Sequence, residues 1–100
     1  MKPKQKNGLA RFHILAHKAW QAHAYFEDLD MSDRKAEDAW KRDITEKHSG
    51  QRSSKALTPN QYEAIMLEFA ITAQVDKEIQ YWVTAQERRL RHEIHRLLQY

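Results

Sequence analysis

Two pairs of histidines have a spacing that could bind a metal ion. His13 and His17 are four residues apart, which places two imidazoles on one face of a helix, but no third ligand lies nearby in the sequence. His92 and His95 resemble the helical zinc-protease motif with one residue missing, so they have i, i+3 spacing in place of the i, i+4 spacing of that motif. We therefore expect no metal and no other cofactor, and we interpret the histidines as surface or partly buried side chains.

Acidic residues are the next candidates, because paired carboxylates can act in acid–base catalysis. Most of them have a basic neighbour at helical spacing, as Glu37 has Lys41 and Asp38 has Arg42, which indicates an ion-paired surface in contact with water. The chain has no cysteine, no recognisable arrangement of nucleophile and base, and no glycine-rich phosphate loop. We therefore predict that the protein is not an enzyme.

Basic side chains form the most distinct group, in the loop before the third predicted helix and near the C-terminus. Cationic residues gathered on one surface could contact phosphates or an acidic protein. The simpler alternative is a helix surface that only faces water. The candidate binding residues are Arg52, Lys55, Arg88, Arg89, Arg91, His92, His95 and Arg96.

The elements that would position these residues are predicted to be helical. Hydrophobic residues make up 41% of the 100 residues, whereas Gly and Pro occur only twice each, so the composition favours helices nearly everywhere. We predict an all-α fold, a small bundle of three to four helices with a long C-terminal helical region. Residues 1–8 are expected to form a flexible basic tail, and residues 9–100 a single helical domain.

Charge and hydrophobicity also bear on partners and location. The net charge of +3 is compatible with an anionic partner, although an excess this small is common among ordinary proteins. No stretch has the apolar run of a signal peptide or of a membrane span, and the absence of cysteine gives no sign of an oxidising compartment. We expect a cytoplasmic protein with no membrane partner.

The first two helices are predicted from apolar spacing and from capping residues. The first runs from Leu9 to about Leu29, and the second is capped by Ser32 and ends before Gly50. Apolar side chains at spacings of three and four should turn one face of the first helix toward the core. These side chains are Phe12, Leu15, Ala16, Ala19, Trp20, His23 and Phe26.

The third helix has the clearest predicted start, because Thr58 and Gln61 can form a capping box and Pro59 occupies the first helical position. Beyond Pro59 the chain has no further Gly or Pro. Either one long helix runs to the C-terminus, or residues 71–76 hold a bend after which the chain packs on the first helix; we favour the bend. The apolar stripe comprises Tyr62, Met66, Phe69, Ala73, Ile79, Val83, Leu90, Ile94 and Leu97. Trp20, Trp40 and Trp82 are expected to pack in the core.

Two segments resemble the small regulatory protein GemA of Mu-like bacteriophages and prophages. Phe12-His13-Ile14-Leu15-Ala16 is similar to the segment that opens the first helix of that family, and Gly50-Gln51-Arg52-Ser53-Ser54-Lys55-Ala56-Leu57-Thr58 is similar to the stretch before a later helix. The resemblance extends loosely from Leu9 to Phe69. It implies a phage-encoded modulator of host gene expression that acts on DNA topology through host gyrase.

The function that we predict is therefore regulatory binding. The chain would modulate host gene expression by docking on a host protein or nucleoprotein through its candidate basic residues. One alternative is a module that binds nucleic acid directly with the basic loop and the C-terminal helix. Another is a structural homodimer that associates through the apolar stripe of residues 62–97.

Overall fold

The computed structural model describes residues 4–98, with side chains from residue 8 onward. This range contains four helices, α1 (Lys4–Glu27), α2 (Arg34–Ser49), α3 (Pro59–Ala73) and α4 (Asp76–Leu97), and no strand. The predicted all-α class and the small bundle are confirmed.

α1 begins and ends at positions that differ from the prediction. It starts at Lys4, upstream of Leu9, so residues 4–8 of the expected tail are helical and residues 1–3 lie outside the described range. It ends before Leu29, because Asp28 adopts a left-handed conformation with φ of +57°. The amide of Leu29 then donates to the carbonyl of Ala24 at 2.8 Å, which closes the helix in a Schellman motif.

The predicted cap of α2 is wrong by one residue. The Asp33 carboxylate, not the Ser32 hydroxyl, accepts a hydrogen bond from the amide of Ala36 at 3.1 Å. Ser32 is engaged in the preceding turn, where its hydroxyl donates to Asp30 at 2.7 Å. The predicted end is confirmed, since Gly50 has φ of +78° and its amide donates to the carbonyl of Glu46.

The capping box and the bend are both confirmed. Thr58 and Gln61 exchange side chain to backbone hydrogen bonds of 2.9 and 3.2 Å at the start of α3. α3 ends at Gln74, which has φ of +60°, and the amide of Val75 donates to the carbonyl of Ala70 at 3.2 Å. We expected the chain after the bend to pack on α1, but α4 folds back on α3 instead. α4 reaches α1 mainly through Arg11, whose guanidinium lies over the rings of Tyr81 and Trp82.

The core lies where α1 and α4 pack on α3, with α2 covering the end of the α1–α3 contact. Phe12 meets Phe69 edge to face at 5.4 Å between ring centroids, and Tyr62 meets Trp82 at 5.6 Å. Trp20 and Trp82 are buried and Trp40 packs against the core, so the expectation for the tryptophans is confirmed. The other large buried side chains are Leu15, Ile44, Ile65 and Met66.

The expected apolar stripe is only partly buried. Phe26 on α1 and the three C-terminal members Leu90, Ile94 and Leu97 on α4 are exposed, so their assignment to the core is wrong. α4 has 22 residues and α3 has 15, so at about 1.5 Å per residue α4 extends roughly 10 Å beyond the helix on which it packs. The α3 part of the stripe is largely buried inside the chain, as Met66 and Phe69 show, and the homodimer through residues 62–97 stays a prediction.

Candidate binding surface

The last three turns of α4 project from the bundle. Every residue from 87 to 98 is exposed, and this segment is called the α4 extension here. It has no Gly or Pro, and two acidic residues, Asp76 and Glu78, sit at the positive N-terminal end of α4 while His95 and Arg96 sit at the negative C-terminal end. The sequence therefore supports a straight helix that leaves the bundle.

Arg89 fixes the base of the α4 extension. Its guanidinium donates through Nε at 3.0 Å and through Nη2 to the two carboxylate oxygens of Glu63, which is only 8% exposed. These hydrogen bonds raise the pKa of Arg89 above its usual value. A bidentate pair of this kind orients α4 on α3, so Arg89, one of the candidate binding residues, is already bound within the chain.

The α4 extension carries an apolar stripe that does not face the bundle. Leu90, Ile94 and Leu97 are 61%, 48% and 65% exposed. At about 100° per residue they lie within roughly 60° of one another, and their direction is roughly 100° away from that of Trp82 and Arg89, which face α3. The stripe has the same direction as Ile79, which packs against the core, so it continues one edge of the core face into a part of α4 that is exposed.

Arginines lie on other faces of the α4 extension: at about 100° per residue, Arg91 is roughly 90° and Arg88 roughly 150° away from the direction of the stripe. Within the described residues Arg88 and Arg91 make no ion pair, whereas Arg96 pairs with Glu93 at 3.1 Å. Arg88 and His92 line an open groove of about 500 Å³ with the exposed ring of Tyr81. His95, the remaining candidate on α4, is also exposed. The α4 extension therefore presents unpaired positive charge and exposed apolar surface on different faces of one helix.

The two candidates in the loop between α2 and α3 lie on a different surface. Arg52 donates to Asp43 and to Glu46, both at 2.9 Å, and these hydrogen bonds raise its pKa. Lys55 is exposed and lines a groove with Arg52 and residues of α1 and α2. That groove shares no lining residue with the groove on α4, so the structure does not unite the two basic groups.

The corner between α1 and α2 is a surface that the sequence interpretation missed. Tyr25 and Phe26 are 72% and 69% exposed and their rings meet at 6.0 Å, and Leu29 and Met31, which follow in the sequence, are also exposed. Residues 25–31 also contain Glu27, Asp28 and Asp30, and none of these carboxylates makes an ion pair within the described chain. We call residues 25–31 the acidic corner. The signal in the sequence was the alternation of large apolar and acidic residues after a helix end.

The histidines on α1 enter ordinary polar contacts. His17 Nδ1 lies 2.8 Å from Glu37 Oε2, and burial together with the nearby charge of Lys41 lowers the pKa of His13. No group of three or more potential metal ligands occurs in residues 8–98. Within the same residues, no helix combines the length and the apolar character that crossing a membrane requires.

Comparisons with known proteins assign this chain to no family. No family model, no curated protein and no solved structure matches the chain. The similarity to GemA therefore remains a prediction from two short segments, and the argument for function depends on the surfaces described above.

Proposed function

We propose that this chain is a small regulatory binding protein of the kind that GemA represents, and that it docks on a host protein or nucleoprotein through the α4 extension. The observation that carries the proposal is the projection of a helix with exposed leucines and unpaired arginines. Docking would bury Leu90, Ile94 and Leu97 and would bring Arg91, which flanks them, next to acidic groups of the partner. The chain acts by binding and catalyses no reaction.

The combination of residues favours a protein surface over bare nucleic acid. Phosphate contacts need cations, but they give no reason for an exposed stripe of aliphatic side chains. Helices that bind in protein grooves use apolar anchors at spacings of three, four and seven residues, and Leu90, Ile94 and Leu97 have this spacing. The unpaired arginines of the α4 extension would steer the encounter and set specificity.

A pull-down from bacterial lysate tests the proposal. The immobilised chain is compared with the variant Arg88→Glu/Arg91→Glu and with the control Lys18→Glu/Lys77→Glu, which reverses two exposed lysines outside the α4 extension. Each sample is split and treated with or without nuclease. A specific partner should survive nuclease, bind the control as it binds the wild-type chain, and be lost with the arginine variant.

The identified partner is then purified and titrated with the same three proteins and, in addition, with Leu90→Ala. The proposal expects the arginine variant to weaken binding by at least tenfold, and Leu90→Ala to weaken it as well. Equal affinity of all three proteins would contradict the role of the α4 extension. Loss of every captured protein after nuclease treatment would instead favour the nucleic-acid alternative.

Direct binding of nucleic acid is favoured by one observation, the groove in which Arg88 and His92 lie beside the exposed Tyr81 ring. An aromatic ring next to cations can stack on an unpaired base. Binding of this kind should weaken steeply with salt, with log K falling by about 0.7 per contacted phosphate for each decade of salt on a single strand. Titration of single-stranded DNA at several salt concentrations measures this slope, and binding that does not change with salt excludes the alternative.

A further inference from the structure

A cleft between α1 and α2 gathers basic side chains from three segments of the chain. An open groove of about 560 Å³ lies between the two helices, and a second groove of about 220 Å³ extends to the loop before α3. The two grooves share His13, Asp38 and Lys41, so they adjoin each other, and together they are called the α1–α2 cleft. The basic residues that line it are Arg34, Lys35, Lys41, Arg42, Arg52 and Lys55.

The acidic groups of the α1–α2 cleft already have partners. Its two carboxylates are those of Glu37, which lies 2.8 Å from Nδ1 of His17, and Asp38, which accepts from Arg42 at 3.0 Å. Arg52 is paired as well. Even with His17 uncharged, the lining residues and their ion-pair partners carry more positive than negative charge. Four cations of the cleft make no ion pair within the described residues, and they are Arg34, Lys35, Lys41 and Lys55.

Lys41 lies where the two grooves meet, and it is partly buried, whereas the other three unpaired cations are exposed. An ammonium group withdrawn from water costs free energy unless a negative charge compensates it, and residues 8–98 provide no ion pair for Lys41. Burial and then the charge of Lys41 lower the pKa of the neighbouring His13, against the opposite influence of Asp38. The cleft is therefore unfavourable for positive charge in the free chain, and a bound anion would relieve this.

We propose that the α1–α2 cleft binds the sugar–phosphate backbone of a nucleic acid. Arg34 and Lys41 lie two turns apart on α2, about 10 Å along the helix axis, and the second groove continues to Lys55. A single small anion would reach only one of these positions, whereas a nucleic-acid strand has a phosphate at every nucleotide and can meet all of them. Ser53 and Ser54 also line the cleft, and serine hydroxyls are common donors to phosphate oxygens.

The side chains of the cleft fit a phosphate backbone better than an acidic protein segment. Leu9 and Phe12 are its large apolar residues, and Phe12 is only 2% exposed, so the cleft lacks the hydrophobic pockets that hold a protein helix in a groove. In the part of the chain that the structure describes, no tyrosine or tryptophan lines the cleft and could stack on a base. The contact is therefore made with phosphates and does not depend on base sequence.

The α1–α2 cleft is separate from the surface on which the proposed function depends. It has no lining residue in common with the groove beside Tyr81 on α4. The inference thus goes beyond the proposed function and does not rest on it. A chain with both contacts would hold the protein of a nucleoprotein with the α4 extension and its nucleic acid with the cleft.

Three double variants that remove the same amount of positive charge test the cleft. They are the cleft variant Arg34→Gln/Lys41→Met, the α4 variant Arg88→Gln/Arg91→Gln and the lysine control Lys18→Met/Lys77→Gln, which lies outside both surfaces. Methionine keeps most of the aliphatic stem of Lys41 without its charge. Because Lys41 has no counter-charge, the cleft variant should melt no lower than the lysine control. A second cleft variant, Lys35→Gln/Lys55→Gln, changes only exposed positions and keeps the test valid if Lys41→Met disturbs the fold.

Fluorescence anisotropy of labelled DNA, single-stranded and duplex, measures binding by each purified protein at several salt concentrations. Loss of two phosphate contacts should weaken binding by about tenfold or more at low salt, and it should make the slope of log K against log salt shallower by about 1.8 on a duplex or about 1.4 on a single strand. The wild type, the α4 variant and the lysine control should share the steeper slope. The two forms of DNA show which one the cleft prefers, and DNA of unrelated sequence should bind equally well.

Three results would overturn the inference. No binding of either form of DNA at low salt excludes a nucleic-acid site, and equal losses in the cleft variant and the lysine control would show that only net charge matters. A loss confined to the α4 variant would assign DNA to the groove on α4 instead. Polyglutamate that competes as well as DNA at equal charge would give the cleft to acidic protein segments. The cleft variant should still capture the protein partner from nuclease-treated lysate, so failure here is distinguishable from failure of the proposed function.

Discussion

The middle of α3 and the α4 extension have the same helical spacing of apolar residues, but one segment is buried and the other is exposed. Ile65, Met66 and Phe69 are completely buried in the core of the bundle, whereas Leu90, Ile94 and Leu97 face water. The spacing of the apolar residues is helical in both segments. Periodicity therefore predicts which side of a helix is apolar, but the length of the neighbouring helices decides whether another element of the same chain covers that side.

Truncation of one large apolar residue in each region should give the greatest difference in the free energy of unfolding. Phe69→Ala leaves a cavity at the centre of the bundle and should lower the free energy of unfolding by about 3–5 kcal/mol. Leu90→Ala removes a side chain that is 61% exposed and should change it by less than about 0.5 kcal/mol. Urea unfolding monitored by circular dichroism measures both, and a large loss for Leu90→Ala would mean that the extension is covered in solution.

Arg89 lies at the border between the two regions, and its removal should have the next largest effect on the stability of the fold. Arg89→Ala leaves the carboxylate of Glu63 buried without its partner, which is destabilising. Arg88→Ala, on the exposed surface one position earlier, is the matched control and should leave the melting temperature nearly unchanged. Equal melting temperatures of the two variants would show that the pair does not hold α4 on α3.

Removal of the Thr58 hydroxyl tests how much the start of α3 contributes to the buried region. Thr58→Ala breaks the capping box and should lower the free energy of unfolding by about 1 kcal/mol. Thr84→Ala is the control, because Thr84 is exposed on α4 and lies away from any helix end. Chemical unfolding should give a lower free energy of unfolding for Thr58→Ala than for Thr84→Ala. A Thr58→Ala variant as stable as the control would imply that packing alone sets the start of α3.

The smallest expected effect is a pH dependence that comes from Glu68. Burial raises the pKa of this carboxylate, but hydrogen bonds and charge from Lys47 and His48, at 2.9 and 2.7 Å, outweigh burial and hold the pKa below 4.5. A lowered pKa stabilises the folded state above pH 4.5, and this stabilisation is lost as the pH falls through the lower folded value.

Glu68→Gln should therefore be less stable than the wild type at neutral pH, and the difference should shrink as the pH falls below 4.5. Glu87→Gln in the α4 extension is the control, since Glu87 is exposed and unpaired within the described residues. Unfolding curves across the acid range compare the three proteins. A difference in stability between the wild type and Glu68→Gln that grows as the pH falls would contradict a lowered pKa of Glu68.

Local features of the sequence predicted the elements better than they predicted the contacts. The capping box at Thr58 and the left-handed Gly50 depend on residues a few positions apart, and both are confirmed. Asp28 and Gln74 end their helices in the same left-handed conformation, but their side chains do not mark it as glycine does. Asp33 rather than Ser32 caps α2 because the Ser32 hydroxyl already donates to Asp30 in the preceding turn.

The candidate binding residues were harder to assign because their partners are remote in sequence. Glu63 is 26 positions from Arg89, and no spacing rule connects them. Periodicity alone also placed Phe26 and Leu90 in the core, since it contains no information about where the bundle ends. Arg88 and Arg91 could be told from Arg89 and Arg96 only when the ion pairs of Arg89 with Glu63 and of Arg96 with Glu93 were seen.

The Arg89–Glu63 pair has a consequence for how the α4 extension is presented. A free peptide of about a dozen residues is largely unfolded in water, because the first turn of a helix is costly to nucleate. Here the packed turns of α4 supply that nucleus, and the extension only has to propagate from it. If α4 docks as proposed, the bundle keeps a short helix ordered before the encounter, so that less conformational entropy is lost on binding.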